Sequence, residues 1–523
     1  MPLNSNKISI NFKKGLELFK NKKFSEAEKI FKKIFKYKPD DVLINFFLGA
    51  AYFETKKFYL STERLKKVIS IDDNHRDANF LLGMMSYNED RFVDAKNHLE
   101  KIYNLNTNDT NVANLFAKVL IKTRDYHKAI SILQIELEKK PNNFDLINNL
   151  GYAYLLNAEI NKSVKFLSKA LELNSNSSYT YANLGTSFFL KNDLLSSKKI
   201  FEKGLEKFPE SKQISFAFSI SELSDCNFDT GFKLYEKRKN GKDYELNFNK
   251  NHKEWRGEDL NQKVIYIISE QGIGDIIQFS RYLISLKKKY SVKIIFAVNK
   301  NLKHLFNFDG IEIIEKGNLN IKFDYFQYLL SLPGIFYKLE KKFVKNINFI
   351  KINNLALNKW SEKIKTIKGP KIGFNFQGDP SYILDGSRSI PLNYFKNLFL
   401  QDNLNFISLV KGYGELELNK IILRKNVFNF SRDIDNNDNS FEDTIAILKN
   451  LDLLITSDTA IAHLASTMEI KTWLLLNFSP DWRWHINMKL FKWYKNLKIF
   501  RQESDLKWDK VIKEVRTELN KSF

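Results

Sequence analysis

The sequence predicts an α-helical solenoid followed by an α/β half with two parallel-sheet lobes. Three observations carry this. Glycines and small residues recur every 34 positions through the first 200 residues. Beyond about Lys263 the pattern changes to short β-rich runs alternating with helical ones. With 523 residues the chain is too long for a single core, so several domains are expected.

The solenoid comes first. Gly15, Gly49, Gly83, Gly151 and Gly185 share one register, and Ala117 fills the remaining place. Twelve residues after each stands a small residue: Ala27, Ser61, Ala95, Ala129, Ser163 and Ser197. Four further on is a large apolar one: Phe31, Leu65, Leu99, Leu133, Leu167 and Phe201. Small residues let paired helices approach closely, and the bulky residue fills the groove between successive hairpins. Pro39, Pro141 and Pro209 fall near the ends of the second helices, where proline stops a helix. This period is the tetratricopeptide pattern. One such unit cannot bury its own apolar face, so the units must stack. The solenoid is placed at 1–222. A degenerate seventh unit and linker occupy 223–262, with Gly231 in the small position and Tyr235 in the bulky one. The concave groove of such an array is read as a seat for an extended peptide or partner, with a spacer or dimerisation surface as the alternative.

The second half alternates. VIYIIS (264–269), VKIIFAV (292–298) and IEII (311–314) read as strands, with a helix starting near Asp275. A charged connector around 360–368 separates them from a second series. KIGFNF (371–376), NFISLVK (405–411), DLLITS (452–457) and KTWLLL (471–476) are its strands, with helical runs between. Strands alternating with helices imply parallel sheets. Two Rossmann-like lobes are therefore expected, at 263–365 and 366–523, with ligands at the carboxyl ends of the strands. The tail KWDKVIKEVRTELNKSF reads as an amphipathic helix lying back across both lobes.

Composition narrows the function. The net charge of +22 invites a nucleic-acid reading. The lysines are spread over every segment, however, so solvated surface is the main reading and peripheral contact with an anionic membrane a secondary one. No specific nucleic-acid partner is expected. The single cysteine, Cys226, offers neither a disulfide framework nor a metal cluster. No run of about 18 uncharged apolar residues occurs, which argues against a transmembrane helix. The charged N-terminus lacks an apolar h-region, so the cytoplasm, or the inner face of its membrane, is the expected location.

Four segments could carry chemistry. In Ser269–Asp275 two glycines between strand and helix allow close backbone approach, and Asp275 either caps its helix or acts as a catalytic carboxylate. Thr456–His463 also links a strand to a helix, whose free N–H groups favour phosphate. There His463 is either a packed residue or a functional one. Gly378, Asp379, Asp385 and Arg388 form a polar loop, with Arg388 able to hold a diphosphate or simply exposed. Phe478–Trp484 brings two tryptophans to another carboxyl end, for packing or for sugar stacking.

Taken together, EQGIGDIIQFSRY, GDP…GSRSIPL, SLVKG, SDTAIAHLA and LLNFSPDWRWH resemble the glycosyltransferase domain joined to tetratricopeptide repeats in many bacterial proteins. That domain is related to the ADP-heptose:lipopolysaccharide heptosyltransferases (family 9-like) and more distantly to protein O-GlcNAc transferases. The resemblance implies a GT-B fold that needs neither metal nor cofactor, the nucleotide-sugar being a substrate held mainly by the C-terminal lobe. It implies Asp275 as the general base that activates an acceptor hydroxyl, with inversion at the anomeric carbon. It implies donor contacts from Asp458, Thr459, Ala460 and His463, and neutralisation of the leaving diphosphate by Arg388. Gln271, Gly272, Gly274, Gly378, Lys411 and Asp481 are secondary candidates. Two departures leave the donor open among ADP-heptose, UDP-sugars and GDP-sugars. Phe376-Gln377-Gly378 stands where an aromatic-serine-glycine is usual, and arginine replaces the heptosyltransferase lysine at the basic position. The acceptor implied is a protein or a surface-glycan intermediate recruited by the repeats. The competing reading is a non-catalytic docking protein with a relic sugar-nucleotide site.

Overall fold

The computed structural model describes residues 5–105, 109–239, 244, 252–317, 321–382, 385–420, 424–484, 493–503 and 507–523. His485, the last residue of the motif quoted above, lies outside them. The chain packs as two compact units, Met1–Thr180 and Tyr181–Phe523. The last hairpins of the solenoid thus belong with the α/β half.

Fourteen described helices run from Ser5–Lys20 to Phe228–Tyr235 as antiparallel pairs. A capping side chain recurs at the same register before the first helix of successive pairs. Asp41 accepts from the Ile44 N–H at 3.1 Å, His75 from Ala78 at 3.2 Å, and Asp109 from Asn111 at 3.0 Å. Asn143 accepts from Leu146 at 3.0 Å and Ser211 from Ile214 at 3.4 Å. Each satisfies a backbone donor that the first turn leaves unpaired. In the five hairpins that carry the register glycine, the large residue lies directly over it. A Cβ on Gly151 would sit 2.7 Å from Leu167 Cγ and 3.1 Å from the Leu167 nitrogen. The serines of the small positions tie the same helices: Ser61 Oγ donates to the Gly49 carbonyl and Ser163 Oγ to that of Gly151, both at 2.8 Å. The bulky residue fills its own hairpin as well as the groove to the next, where Phe31 stacks on Phe47 with 5.7 Å between ring centroids.

Gly151→Ala should therefore destabilise despite alanine's better helix propensity. Propensity offers up to about 1 kcal/mol, whereas overpacking a buried site against backbone costs about 1–3 kcal/mol. The expected result is a net loss of up to about 2 kcal/mol, read by the far-ultraviolet circular dichroism melt; a higher melting temperature would contradict it.

The α/β half holds two sheets, every described pairing in them parallel. The first contains β1 (Lys253–Glu254), β2 (Val264–Ile268), β3 (Lys293–Val298), β4 (Ile311–Glu315) and β5 (Tyr325–Tyr328), in the order β1-β5-β2-β3-β4. The second contains β6 (Lys371–Asn375), β7 (Asn405–Ser408), β8 (Val427–Asn429), β9 (Leu453–Ser457), β10 (Thr472–Leu476) and β11 (Leu497–Arg501), in the order β11-β10-β9-β6-β7-β8. The sequence pattern anticipates β2–β4, β6, β7, β9 and β10. It does not anticipate β1, β5, β8 and β11, which are short or mix charged with apolar residues.

Three further differences stand out. The charged connector is largely a helix, Asn354–Lys365, whose Ala356, Trp360 and Ile364 form a buried stripe at helical spacing. The tail is a helix as expected, Asp509–Ser522, but it does not span both lobes. Its buried face, Val511, Ile512, Val515 and Leu519, joins Trp473, Leu475 and Phe500 in the core of the second lobe. The last repeat is built into the α/β core. Phe232 packs against Gly334 of the helix Leu332–Glu340, and Phe228 meets Tyr337 and Phe343 at 5.1 and 4.8 Å. No described helix is long and apolar enough to cross a membrane.

Candidate active site

Four carboxyl-end loops, those after β2, β6, β9 and β10, supply the candidate residues. After β2 the chain turns through Gln271, whose φ of +59° puts it in the left-handed region, and enters the helix Ile273–Phe279 two residues before Asp275. Asp275 does what a capping residue does: its Oδ2 accepts from the Gly272 N–H at 3.1 Å. Its other oxygen, Oδ1, is paired with Arg483 of the second lobe. Gln271 accepts from the Tyr235 hydroxyl at 3.3 Å, so the degenerate repeat touches this turn.

After β9 comes the second motif. Thr459 precedes the helix Ala460–Thr467. Its hydroxyl lies 3.2 Å from the Asn375 amide at the end of β6, and 3.3 Å from the Thr456 hydroxyl. The two motif helices meet at Gly274. A Cβ there would stand 2.9 Å from His463 Cδ2 and 3.4 Å from Ala460 Cα. Only glycine admits this approach, so the Gly-Ile-Gly-Asp turn of one lobe abuts the Asp-Thr-Ala turn of the other.

His463 is buried, stacks on Trp484 at 5.2 Å, and lies 3.0 Å by Nδ1 from the Tyr494 hydroxyl. Burial, reinforced by the Arg483 and Arg281 charges, pushes its imidazole well below its usual range. It is therefore neutral, and its 4.0 Å separation from Asp458 is not an ion pair. Trp482 and Trp484 are both buried, Trp482 lying parallel to Phe279 at 6.1 Å. They pack the core, and sugar stacking on their faces is excluded by that burial.

Sequence reasoning noted the Trp-Arg-Trp segment for its indoles and missed the arginine between them. Arg483 is only 7% exposed. Its Nη1 donates to Asp481 Oδ1 at 2.5 Å, its Nη2 reaches Asp275, and its guanidinium sits over Phe279 and Trp482 at 5.2 and 5.0 Å. Burial works against its charge, but Asp275 and Asp481 outweigh that and hold its pKa above the usual value.

Arg388 is more exposed. Its Nε donates to Asp385 Oδ1 at 2.9 Å and its guanidinium covers Tyr382 at 4.5 Å. Gly378 is packed against this pair, since a Cβ would come within 2.4 Å of Asp385 Oδ1 and 2.8 Å of Arg388 Nη2. The charges of Asp481, Arg388 and Arg483 all act on Asp458, which joins these groups in one locus. Lys411 stands in the loop after β7, the strand paired with β6. Its described partners are the Ser431 carbonyl and Asn436, each at 2.8 Å, and Glu415.

Burial and the neighbouring Asp481 carboxylate push Asp458 up to about 6. Asp275 is also raised, by burial first, with Arg483 pulling the other way. For an acid raised on folding, the folded state keeps a proton that the unfolded chain has released. Asp458 therefore costs nothing below about pH 4, a growing amount between about 4 and 6, and its full amount above that. Roughly two pKa units correspond to about 3 kcal/mol. Asp458→Asn should accordingly raise stability at pH 7 by about 2–3 kcal/mol and flatten its fall from pH 4 to 6. Urea midpoints measured across that range check this, and an unchanged midpoint at pH 7 would contradict it.

The tetratricopeptide repeat model matches residues 8–41 and 144–177. The N-terminal region carries tetratricopeptide repeats. No curated protein matches the sequence. Solved structures similar to the chain include YrrB, described as a tetratricopeptide-repeat protein with an unusual peptide-binding site (14% identity, TM-score 0.33, covering 36% of this chain and 97% of that one). Another is PilW, described as a type IV pilus biogenesis factor (12% identity, TM-score 0.35, covering 40% and 98%). A third is TTC0263, a repeat protein of Thermus thermophilus (16% identity, TM-score 0.29, covering 31% and 90%).

Proposed function

We propose that the α/β half is an inverting glycosyltransferase of GT-B type, joined to a repeat scaffold that recruits its acceptor. The reading rests on the contact between the Gly-Ile-Gly-Asp and Asp-Thr-Ala turns. They come from the carboxyl ends of strands in two different sheets, and Gly274 lets them touch at Ala460 and His463. That contact sets a carboxylate of one lobe beside the proposed donor residues of the other. In the reaction, Asp275 takes the proton of an acceptor hydroxyl as its oxygen attacks the anomeric carbon. The bond from that carbon to the nucleoside diphosphate breaks on the opposite face, and Arg388 neutralises the departing charge. Asp458, Thr459, Ala460 and neutral His463 hold the nucleotide-sugar; no metal or cofactor is assigned a step. Protein partners belong to the tetratricopeptide repeats, and the acceptor is a protein or a surface glycan presented from their groove, in the cytoplasm or at the inner face of the membrane.

The deciding experiment is metal-free binding of ADP, UDP, GDP and their sugar conjugates to wild type, Asp458→Ala and Arg388→Ala. Saturable binding of one base, weakened in both variants, supports the assignment. No binding across the panel rejects it in favour of the docking protein.

A further inference from the structure

Both oxygens of the proposed base have partners within the protein. Asp275 Oδ2 holds the Gly272 N–H at 3.1 Å, and Oδ1 holds Arg483 Nη2. A carboxylate so engaged is poorly placed to take an acceptor proton. The guanidinium, in turn, is anchored independently of Asp275. Its Nη1 and its backbone N–H both donate to Asp481 Oδ1, at 2.5 and 3.0 Å, and its carbonyl accepts from the Trp493 indole at 2.8 Å. Phe279 and Trp482 fix its plane. With the guanidinium plane held in this way Nη2 stays in place, and a phosphate oxygen that comes within reach of it competes with Asp275 Oδ1 for the same N–H donor. Its Nε has no hydrogen-bond partner among the described residues, so the guanidinium keeps a second unused donor. Arg483 and Arg388 both act on Asp458, which places the donor residues within the field of two guanidiniums. A fork-shaped, permanently charged donor of this kind is well matched to phosphate oxygens.

We propose that Arg483 is a positioning residue shared between base and donor: its Nη2 clamps Asp275 between the lobes and is taken up by a diphosphate oxygen when a nucleoside diphosphate binds, releasing Asp275 Oδ1 to the acceptor hydroxyl. This rests on the glycosyltransferase reading. It adds that the base is masked until the donor is seated, so that the donor binds before the acceptor is activated. Asp275 and the diphosphate then compete for one guanidinium, and competition of that kind appears as coupling between two substitutions.

The test is isothermal titration of ADP, UDP, GDP and inorganic pyrophosphate into wild type, Asp275→Asn, Arg483→Gln, Arg483→Lys and the double variant Asp275→Asn/Arg483→Gln. Asparagine retains the acceptor for the Gly272 N–H while removing the charge that holds Arg483, so this variant should stay folded. Asp275→Asn is expected to tighten the best nucleoside diphosphate about tenfold. Arg483→Gln should weaken it at least tenfold, Arg483→Lys should fall between wild type and Arg483→Gln, and the double variant should bind like Arg483→Gln. Unchanged or weaker binding by Asp275→Asn overturns the shared clamp. So does equal tightening in the Arg483→Gln background, which is the mark of simple charge removal. Either result leaves the donor-site assignment standing. Failure of every diphosphate to bind wild type and Asp275→Asn alike rejects both the clamp and the glycosyltransferase reading.

Discussion

Arg238→Ala should lower the stability of the α/β half by about 3–5 kcal/mol, the range for removing one partner of a buried ion pair. Arg238 ends the short 3-10 turn Glu236–Arg238 that follows the last repeat helix and is buried, as is Glu270 two residues beyond β2. Its Nη2 lies 2.6 Å from Glu270 Oε1 and 2.9 Å from Ser331 Oγ, and its Nε lies 3.2 Å from Glu270 Oε2. Glu270 also accepts from the Tyr244 hydroxyl at 2.7 Å and the Leu330 N–H at 3.1 Å. Deleting the guanidinium leaves that carboxyl group buried without its counter-ion, directly before the turn that carries Asp275. The loss should therefore reach the site as well as the fold. A double variant, Arg238→Met/Glu270→Gln, removes both charges and should recover most of the stability. All seven tryptophans lie between Trp255 and Trp508. Indole fluorescence in urea thus reports this half separately from the N-terminal repeats. A midpoint within about 0.5 kcal/mol of wild type, the range of an ordinary surface substitution, would show that the pair does not hold the repeat to the lobe.

The contrast between this pair and the repeats explains what the sequence could reveal. The solenoid is legible because each hairpin's contacts lie within a few dozen residues and recur. Gly151 and Leu167 are sixteen apart, and the same spacing holds for Gly15 and Phe31. The caps at Asp41, His75, Asp109 and Asn143 carry the same period, but their chemistry varies from carboxylate to imidazole to amide, so a scan for one residue type passes over them. Buried parallel strands such as β2 and β9 announce themselves as apolar runs. β11, with lysine and arginine among its residues, does not. The candidate site was legible only in pieces. Local pattern located the loops after β2, β6, β9 and β10, since a glycine turn or a small-residue helix start is a local event. It could not show that Arg483 meets Asp275, 208 residues away in sequence, or that Arg238 meets Glu270. Those pairings follow from how two sheets and a repeat are stacked, which no window of sequence contains. For that reason the basic residue selected by resemblance was Arg388, in a recognisable polar loop. The more deeply buried arginine sat unremarked between two tryptophans.

Asp275→Ala should lower turnover by about 10²–10⁴-fold, the usual contribution of a positioned general base. Nucleoside diphosphate binding should survive, because Asp458, Thr459 and Arg388 are untouched. The acceptor need not be known to measure this. Water can stand in for the acceptor hydroxyl, so release of nucleoside diphosphate from the cognate nucleotide-sugar reports the same proton transfer. The pH profile adds a constraint that a structural role for Asp275 would not produce. A base works only when ionised, so the rate should rise with pH through the folded-state pKa of Asp275. Burial raises that value, with Arg483 opposing, so the acid limb should fall above the ordinary carboxylate range. Displacing Arg483 from Asp275 removes the opposing charge and leaves burial uncompensated. Saturation with nucleotide-sugar should therefore shift the limb further up. A limb at the ordinary carboxylate position, unmoved by saturation, would mean that the carboxylate at the Gly-Ile-Gly-Asp turn caps its helix and does no more.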